Sequence, residues 1–315
     1  MSSDDMNDSI WHKSQSGVVL VAVIVFLLIT SVLIAGASGL MERRLNIAKK
    51  AQDNAYALAT MHAKLNEIIY LLATQRSTIA GLSQGTAINR FVKNSDGFFE
   101  NTVTGDELRV DSYVYKHEGI NFYIQNTDGL IPINTPGQNW LKLFLRKQAL
   151  STYSLGILLD SLNDYADEDR LQKPLGKEQF QQYHPKNYLL QACSELALVY
   201  GWQAYLERDS YLMHNCNLNR TPTINLNAMP VKLWRDIFGG SADKLINQRD
   251  NGNWFVIETD AALVEPSILT MPEELYSANG GNQFVVRLYT EDAALSRRIK
   301  LGRGVAKPFT QMIAK

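Results

Sequence analysis

The sequence predicts an α+β protein in which a long N-terminal transmembrane helix packs on a small antiparallel sheet, with a large helical insertion domain. Three observations support this fold class. Residues 17–41 form 25 consecutive uncharged and mostly apolar residues. Alternating segments typical of strands lie within residues 107–126 and 284–301, and the stretch between them is dominated by helical periodicity. Its 315 residues suffice for one large domain or two ordinary ones beyond a membrane segment.

Composition narrows the class of protein. Hydrophobic residues make up 45% of the chain and charged residues 20%, which is typical of a folded globular protein. The 31 basic and 32 acidic residues give a net charge of −1. This balance argues against a general electrostatic attraction to nucleic acid or to an anionic membrane surface.

The apolar segment defines the N-terminal organisation. About 20 apolar helical residues span a bilayer core, so residues 18–41 are predicted to be a transmembrane helix preceded by a polar leader, residues 1–17. Two processing routes compete. A signal peptidase cut after Ala37 would release a soluble protein, whereas a cut after Gly17 would leave the apolar helix as the new N-terminus. The length of the apolar run, which exceeds the apolar region of a usual signal peptide, favours the second route.

The helix is predicted to continue beyond the membrane. Residues 42–82 form an amphipathic continuation, ended by Ser83, Gly85 and the polar stretch that follows. Apolar residues recur in it at alternating spacings of 3 and 4, which forms one helical stripe. We predict that this stripe is the face that contacts partner helices; it comprises Leu58, Met61, Leu65, Ile68 and Leu72.

Residues 83–135 and 270–315 are predicted to form the α+β core. Residues 107–116 and 119–126 alternate polar with β-branched or aromatic residues, which predicts a hairpin joined by His117 and Glu118. Further strands are predicted at residues 284–289 and 297–301. The helical insertion occupies residues 136–269, with helices at 140–147, 155–165, 187–200, 231–238 and 242–249.

The chain contains two cysteines, Cys193 and Cys216. If the body lies in an oxidising compartment, a disulfide between them closes a loop of about two dozen residues and contributes roughly 3 kcal/mol. Two buried, unlinked thiols are the alternative. Neither cysteine has the C-x-x-C or Cys/His spacing of a zinc site.

The densest acidic cluster follows the helix predicted at residues 155–165. It contains Asp164, Asp167 and Asp169, with Glu178 further along the chain. Calcium takes six to eight oxygen ligands, and closely spaced Asp side chains at a helix end supply several of them. The alternative is a solvated acidic loop that caps the helix.

Residues 223–249 suggest a second kind of function. Two short helices separated by Gly239 and Gly240 resemble a helix-hairpin-helix, a unit that binds DNA phosphates through backbone N–H groups. The turn lacks the Gly-hydrophobic-Gly pattern of such binders and basic residues are sparse, so a compact packing unit is the favoured interpretation. A membrane-anchored DNA-binding protein is therefore the alternative function, and no nucleic acid partner is expected.

The sequence contains none of the common catalytic motifs that would indicate an enzyme. The five histidines are scattered, and the chain has no H-E-x-x-H, G-x-S-x-G or Walker sequence. We therefore predict that the protein is not an enzyme.

Several local patterns resemble one protein family. The leader, the Gly before the cut and the apolar helix resemble type IV pilin-like proteins, but the fifth residue after the cut is Ala22 where most of them have Glu. Five further segments resemble motifs of the K-type minor pseudopilins of type II secretion: residues 126–134 (NTDGLIPIN), 162–169 (LNDYADED), 176–178 (GKE), 187–201 (NYLLQACSELALVYG) and 223–228 (TINLNA). Their order and spacing together cover most of residues 10–305.

The resemblance carries specific expectations. It implies cleavage by prepilin peptidase between Gly17 and Val18, methylation of the new amino terminus, and a place at the tip of a periplasmic pseudopilus, which the subunit initiates or caps. It implies calcium bound by Asp164, Asp167, Asp169 and Glu178. Partners would be the I, J and H types of minor pseudopilin and the inner-membrane secretion platform. The protein would be a single-pass inner-membrane protein with its globular body in the periplasm.

The charges beside the apolar segment favour the opposite orientation. Lys13 is the only basic residue of the leader, whereas Arg43, Arg44, Lys49 and Lys50 follow the span. By the positive-inside rule alone, the body would face the cytoplasm. The resemblance places it on the other side.

Overall fold

A computed structural model describes residues 15–86, 103–135, 137–148, 150–178, 185–256, 258–262, 276–278, 280–304 and 307–313. The first 14 residues of the predicted leader lie outside this part of the chain, as does the predicted boundary between residues 269 and 270. The chain divides into two units, Met1–Ala57 and Leu58–Lys315.

The described part contains eight α-helices and ten strands. The helices are α1 (Gln15–Thr74), α2 (Asn139–Lys147), α3 (Thr152–Ala166), α4 (Trp202–Leu206), α5 (Tyr211–His214), α6 (Val231–Phe238), α7 (Ala242–Asp250) and α8 (Glu258–Ala262). The strands are β1 (Ser77–Thr78), β2 (Gly81–Ser83), β3 (Glu107–Leu108), β4 (Tyr115–His117), β5 (Ile120–Asn126), β6 (Ile131–Pro132), β7 (Cys216–Asn217), β8 (Gln283–Tyr289), β9 (Ala294–Gly304) and β10 (Lys307–Ile313).

The first unit presents an apolar helical surface. Its large side chains from Val18 to Met41 are exposed. The hydroxyl groups of Thr30 and Ser31 donate to the carbonyls of Phe26 and Leu27, so these polar groups are satisfied within the helix. By length and composition this is the one helix in the described residues that passes as a membrane span, a test that a signal sequence near an N-terminus also passes.

An antiparallel sheet of five strands forms the centre of the second unit, in the order β10-β9-β8-β5-β4. In the register, Phe122 lies opposite Leu288, and Ile124 opposite Val286. Because side chains alternate across a strand, these residues share one face, and all four are buried. The predicted combination of a long helix with a small antiparallel sheet is therefore confirmed.

That sheet face packs against the C-terminal part of α1. Met61, Leu65, Ile68 and Leu72 are at most 3% exposed and belong to one core cluster with the sheet residues, whereas Leu58 is 40% exposed. The predicted periodicity was right, but the interpretation of this stripe as a partner-helix face was wrong. These side chains are already buried against the protein's own sheet, so a second helix has no access to them.

Helix α1 ends at Thr74, before the predicted end near residue 82. The chain turns into the hairpin β1–β2, and β2 pairs with β3. Gly81 has a φ of 144°, and a Cβ on it would lie 2.2 Å from the carbonyl oxygen of Leu108. Only glycine fits this close approach, so the chain joins a small sheet instead of extending the helix.

The predicted hairpin over residues 107–126 also needs correction. Glu107 and Leu108 belong to the small sheet, whereas Asp111 forms an antiparallel bridge with Gln125 and β4 pairs with the start of β5. The turn is formed by Glu118 and Gly119, with φ values of 45° and 80°. Two successive positive φ values match the twist of a tight hairpin, which explains why the turn lies one residue later than predicted.

The helical insertion has its own core. Its largest fully buried side chains include Trp202, Trp234, Tyr165, Phe144 and Phe255. The predicted helices at 140–147, 155–165, 231–238 and 242–249 correspond to α2, α3, α6 and α7. The helix predicted at 187–200 was wrong. The structure has a 3₁₀ helix at Cys193–Leu198, because hydrogen bonds at Leu190 and the disulfide of Cys193 hold this segment to other parts of the chain.

Candidate functional site

Two of the motifs that carried the family resemblance contact each other. The backbone N–H of Asn225 donates to the carbonyl of Asp128 at 2.7 Å. Gln125, the residue before the first motif, donates from its Nε2 to the carbonyl of Ala228 at 2.9 Å. A Cβ on Gly129 would lie 2.0 Å from the oxygen of Ala228. The glycine is therefore required by the close packing of residues 126–134 on residues 223–228.

Asp128 is the polar centre of this junction. Its Oδ1 accepts hydrogen bonds from Asn217 Nδ2 and Asn219 Nδ2, each at 3.2 Å. Burial raises the pKa of Asp128, and the hydrogen bonds from the two asparagines and the backbone of Gly281 oppose this effect. Because the carboxylate is satisfied by neutral donors, its role is to hold three chain segments together.

A third motif joins the same region through Asn134. The Asn134 side chain donates to the carbonyls of Leu190 and Leu218, at 2.8 and 3.0 Å, and accepts from the N–H of Leu190 at 3.0 Å. The sequence marked all three motifs separately. The pairing of the parallel strands β6 and β7 brings them together, and the sequence did not predict this pairing.

Cys193 and Cys216 form a disulfide, with their Cα atoms 5.8 Å apart. The bridge links the 3₁₀ helix at Cys193–Leu198 to β7, and both cysteines are buried. The predicted pairing is therefore present in the structure, and the alternative of two free thiols does not hold there.

A buried charge network that the sequence did not reveal ties the insertion to the core. Arg249 on α7 is fully buried, and its Nη2 forms an ion pair at 2.9 Å, without the geometry of a hydrogen bond, with Oδ2 of Asp111, which is 4% exposed. Arg249 Nη1 donates to the carbonyl of Met229 at 2.7 Å. Arg109 Nη2 contacts both Asp111, at 2.5 Å, and Asp250, at 2.9 Å. Burial lowers the pKa of Arg249, and Asp111 opposes this shift most strongly.

The predicted acidic cluster surrounds the C-terminal end of α3. Asp164 is fully buried, Glu178 is 6% exposed, and Asp167 is half-buried, whereas Asp169 is exposed. Asp164 Oδ1 accepts a hydrogen bond from the N–H of Lys173 at 2.9 Å. A Cβ on Gly176 would lie 2.1 Å from Asp164 Oδ2, so this loop folds tightly over the carboxylate. The structure therefore brings Asp164, Asp167 and Glu178 into one buried region.

One oxygen of each of these three carboxylates is buried without a hydrogen-bond partner: Asp164 Oδ2, Asp167 Oδ1 and Glu178 Oε2. Burial raises the pKa of Asp164 and Asp167, and repulsion from neighbouring carboxylates, including Glu178, raises both further. The negative end of the α3 dipole lies in the same region. The arrangement is therefore electrostatically favourable for a cation.

The positions of these carboxylates do not yet form a metal-binding site. Within the described residues, no group of three or more His, Cys, Asp or Glu side chains is arranged to hold a metal ion. The type, burial and unpartnered oxygens of the three carboxylates fit a hard cation such as calcium, but their oxygens would have to move together around it. Asp169 fits less well, since it is exposed and its Oδ1 accepts from the N–H of Leu171 at 2.7 Å.

Asn187 is a residue of this region that sequence reasoning missed. Its Nδ2 donates to Glu178 Oε1 at 3.2 Å and to the carbonyl of Asp169 at 2.9 Å. Its φ of 51° is typical of asparagine in a left-handed turn. The signal was its position as the first residue of the motif at 187–201.

The helix-hairpin-helix-like unit packs as a structural element. Leu233, Trp234 and Ile237 of α6 are buried in the insertion core. Three of its four basic residues are engaged elsewhere: Arg235 contacts Asp243 at 3.3 Å, Lys232 contacts Asp236 at 2.8 Å, and Arg249 is buried. These contacts favour the packing interpretation over phosphate binding.

The predicted processing residues lie at the start of α1. Gly17, Val18 and Ala22 are all exposed there. The structure contains no acidic residue in the first turn of this helix.

Comparison with known proteins identifies the fold. No family model and no curated protein matches the chain. Among solved structures, a chain in the crystal structure of the GspK–GspI–GspJ complex from the type 2 secretion system of enterotoxigenic Escherichia coli is similar, with a TM-score of 0.52 and 15% sequence identity. The match covers 84% of this chain and 97% of that chain. This protein therefore shares the fold of a component of that complex, as the sequence motifs predicted.

Proposed function

We propose that the protein is a K-type minor pseudopilin of a type II secretion system. The observation that supports this most strongly is the similarity of fold over 84% of the chain to a component of the GspK–GspI–GspJ complex. The leader and five motifs resemble the same family independently. The role is mechanical: the subunit is a part of a filament, with no catalytic step.

The apolar helix serves as the membrane anchor in this proposal. Large apolar side chains between Val18 and Met41 are exposed, and a surface of this kind is stable in lipid or against other apolar helices. The body is in the periplasm, where the disulfide between Cys193 and Cys216 persists because the compartment is oxidising. The anchor is therefore in the inner membrane.

Processing frees the helix for assembly. Prepilin peptidase cuts between Gly17 and Val18, and the new amino terminus is methylated. The subunit is then drawn from the membrane by the inner-membrane secretion platform and joins minor pseudopilins of the I, J and H types. Because the stripe at Met61–Leu72 is occupied by the protein's own sheet, partners contact other faces of α1.

A tip position follows from two features. Ala22 offers no carboxylate to the amino terminus of a subunit above it, whereas other pilin-like subunits carry Glu there. The helical insertion adds a second core beside the pilin-like sheet, which leaves less room for further subunits. Both features favour initiation and capping.

Replacing Ala22 by Glu tests the tip position. A carboxylate in an apolar span is costly when it lacks a partner. When the full-length Ala22→Glu variant is purified from detergent-solubilised membranes, we expect less I- and J-type subunit to co-purify with it than with the wild type. We also expect cells that carry the variant to secrete less protein. Ala22→Leu is the matched control and should behave as the wild type. Unchanged recovery and secretion for Ala22→Glu would contradict the tip position.

We also propose that Asp164, Asp167 and Glu178 bind calcium. Asp169, which is exposed, adds negative charge near the ion but is not one of its main ligands. Calcium would supply positive charge to three unpartnered carboxylate oxygens and to the negative end of α3. The protein's own contribution is to hold the loop at 167–178 against α3 through Asn187 and the N–H of Lys173. The ion would lock this loop and with it one surface of the insertion.

Calcium is expected to raise the melting temperature of the full chain in detergent micelles at neutral pH. At a free calcium concentration about 100 times Kd, the free energy of unfolding rises by about 2.7 kcal/mol. Asp164→Asn should abolish this gain. The same variant should be more stable than the wild type in EDTA, since the raised pKa of Asp164 means that its charged form disfavours folding at neutral pH.

Glu168→Gln is the control for this experiment, because Glu168 is exposed in the same segment. It should keep the full response to calcium. A wild-type protein whose melting temperature is the same in calcium and in EDTA would contradict the calcium proposal and leave the pseudopilin proposal intact.

A further inference from the structure

A groove lies between the second face of the five-stranded sheet and the segments joined by the disulfide. Its cavity has a volume of about 710 Å³. One wall is built by β5, β8, β9 and β10. The opposite wall is built by residues 191–193 and by His214, Asn215 and Leu218.

The strand register places two arginines on the groove face of the sheet. Arg287 lies opposite Tyr123 and Ser296, and Arg298 lies opposite Val285 and Met312. All of these residues line the groove, as does Arg297. The core residues Val286 and Ile299 alternate with them and point to α1.

The positive charge of this groove is not balanced by the protein. No Asp or Glu is among the described residues that line it, and none of the ion pairs in the described part of the chain involves Arg287 or Arg298. Arg298 is half-buried, and burial lowers its pKa. A partly desolvated guanidinium without a carboxylate is costly, and a carboxylate from outside would relieve this cost.

A second cavity of about 330 Å³ shares two lining residues with the groove, Tyr123 and Asn215. The second cavity is lined by Tyr113, Tyr211 and the aliphatic Val231, and also by the charged residues Arg109, Asp111 and Lys232. Aromatic faces of this kind cover apolar side chains while their hydroxyl groups remain available for hydrogen bonds. The charges of Arg109 and Lys232 are already met by Asp111, Asp250 and Asp236, so the neighbouring cavity adds tyrosines to the arginines of the groove.

We propose that this groove binds an extended, carboxylate-rich peptide segment of another protein. Guanidinium groups pair with carboxylates through two parallel hydrogen bonds, which matches Arg287 and Arg298 to Asp or Glu side chains. A nucleic acid fits less well: the described residues of the opposite wall include no Lys or Arg, and a phosphate backbone needs a row of positive charges. The proposal does not depend on the tip position or on calcium.

The test is a fluorescence anisotropy titration of the full chain in detergent micelles. The probes are a labelled alternating Ala–Glu decapeptide, the corresponding Ala–Gln decapeptide, and a single-stranded DNA oligonucleotide with the same number of charges. We expect the Ala–Glu peptide to bind to the wild type, and the Ala–Gln peptide to bind far more weakly. The double variant Arg287→Glu and Arg298→Glu should reduce the affinity for the Ala–Glu peptide about tenfold or more. Arg146→Glu is the matched control, since Arg146 is exposed on α2 and does not line the groove.

Three outcomes would overturn the proposal. Equal binding of the Ala–Glu and Ala–Gln peptides would show that the arginines select no carboxylate. An equal loss with Arg146→Glu would assign the binding to overall charge, and tighter binding of the oligonucleotide would assign the groove to nucleic acid. Arg298→Gln, which adds no negative charge, provides a second variant if the double variant fails to fold, and it should also weaken the Ala–Glu peptide.

Discussion

Replacing Asp111 by Ala is expected to destabilise the protein by about 3–5 kcal/mol, because it leaves the fully buried Arg249 without its carboxylate. Arg249 would retain only the carbonyl of Met229 and a 3.3 Å contact with Asp250. Arg109 would lose its closest partner as well. Thermal unfolding in detergent micelles, followed by tryptophan fluorescence, checks this prediction. The buried Trp140, Trp202 and Trp234 all belong to the insertion core and report on its integrity.

Asp243→Ala is the control for Asp111→Ala. Asp243 forms an ion pair with Arg235 in which both side chains are exposed, so its removal should cost less than about 1 kcal/mol. If the two variants unfold at the same temperature, the buried network does not connect the insertion to the core as described. A loss confined to Asp111→Ala supports it.

Removing the disulfide is expected to have an effect of similar size. The bridge closes a loop with a sequence separation of 23 residues, which corresponds to about 3 kcal/mol of stability in the chain-entropy account. The double variant Cys193→Ala and Cys216→Ala should therefore melt roughly 10 °C lower than the wild type. The bridge also fixes one wall of the groove, through Cys193.

Treatment with dithiothreitol distinguishes the effect of losing the disulfide from the effect of removing the packing of the two cysteine side chains. Reduction should lower the melting temperature of the wild type and leave that of the double variant unchanged. A thiol assay on the unfolded, unreduced wild type should detect no free cysteine. Two free thiols in that assay, or a double variant as stable as the wild type, would contradict the pairing.

Local sequence patterns predicted the parts of the fold that depend on local physics. The apolar run at residues 17–41 and the spacing of Met61, Leu65, Ile68 and Leu72 specify the helix and its buried side without knowledge of the rest of the chain. What the stripe packs against is a tertiary question. We predicted partner helices, whereas β5 and β8 fill that position, and no local signal distinguishes these two solutions.

The end of α1 shows how a tertiary contact overrides a local pattern. Residues 75–82 contain no strong helix breaker other than Gly81, so the helix was predicted to continue. The glycine is needed where the chain approaches Leu108, which lies beyond a long intervening segment. The helix predicted at 187–200 failed for the same reason, since Leu190 and Cys193 are held by Asn134 and Cys216.

The candidate sites were predictable to different degrees. The acidic cluster was visible because its members are close in sequence, and the cysteines because there are only two. The network of Asp111 and Arg249 was not, since its members come from distant segments and neither belongs to a recognisable motif. The groove arginines also escaped notice, because an Arg in a strand ordinarily faces solvent, and only the position of the insertion encloses Arg298.

Sequencing the N-terminus of the mature protein, recovered from membranes of expressing cells, tests the central claim most directly. We predict a start at Val18 with a methylated amino group, as expected for a pilin-like subunit processed after Gly17. A start at Ser38 would show that the apolar segment is a removed signal peptide, and the pseudopilin proposal would fail. An uncut Met1 would likewise contradict it and would favour an ordinary signal-anchored protein.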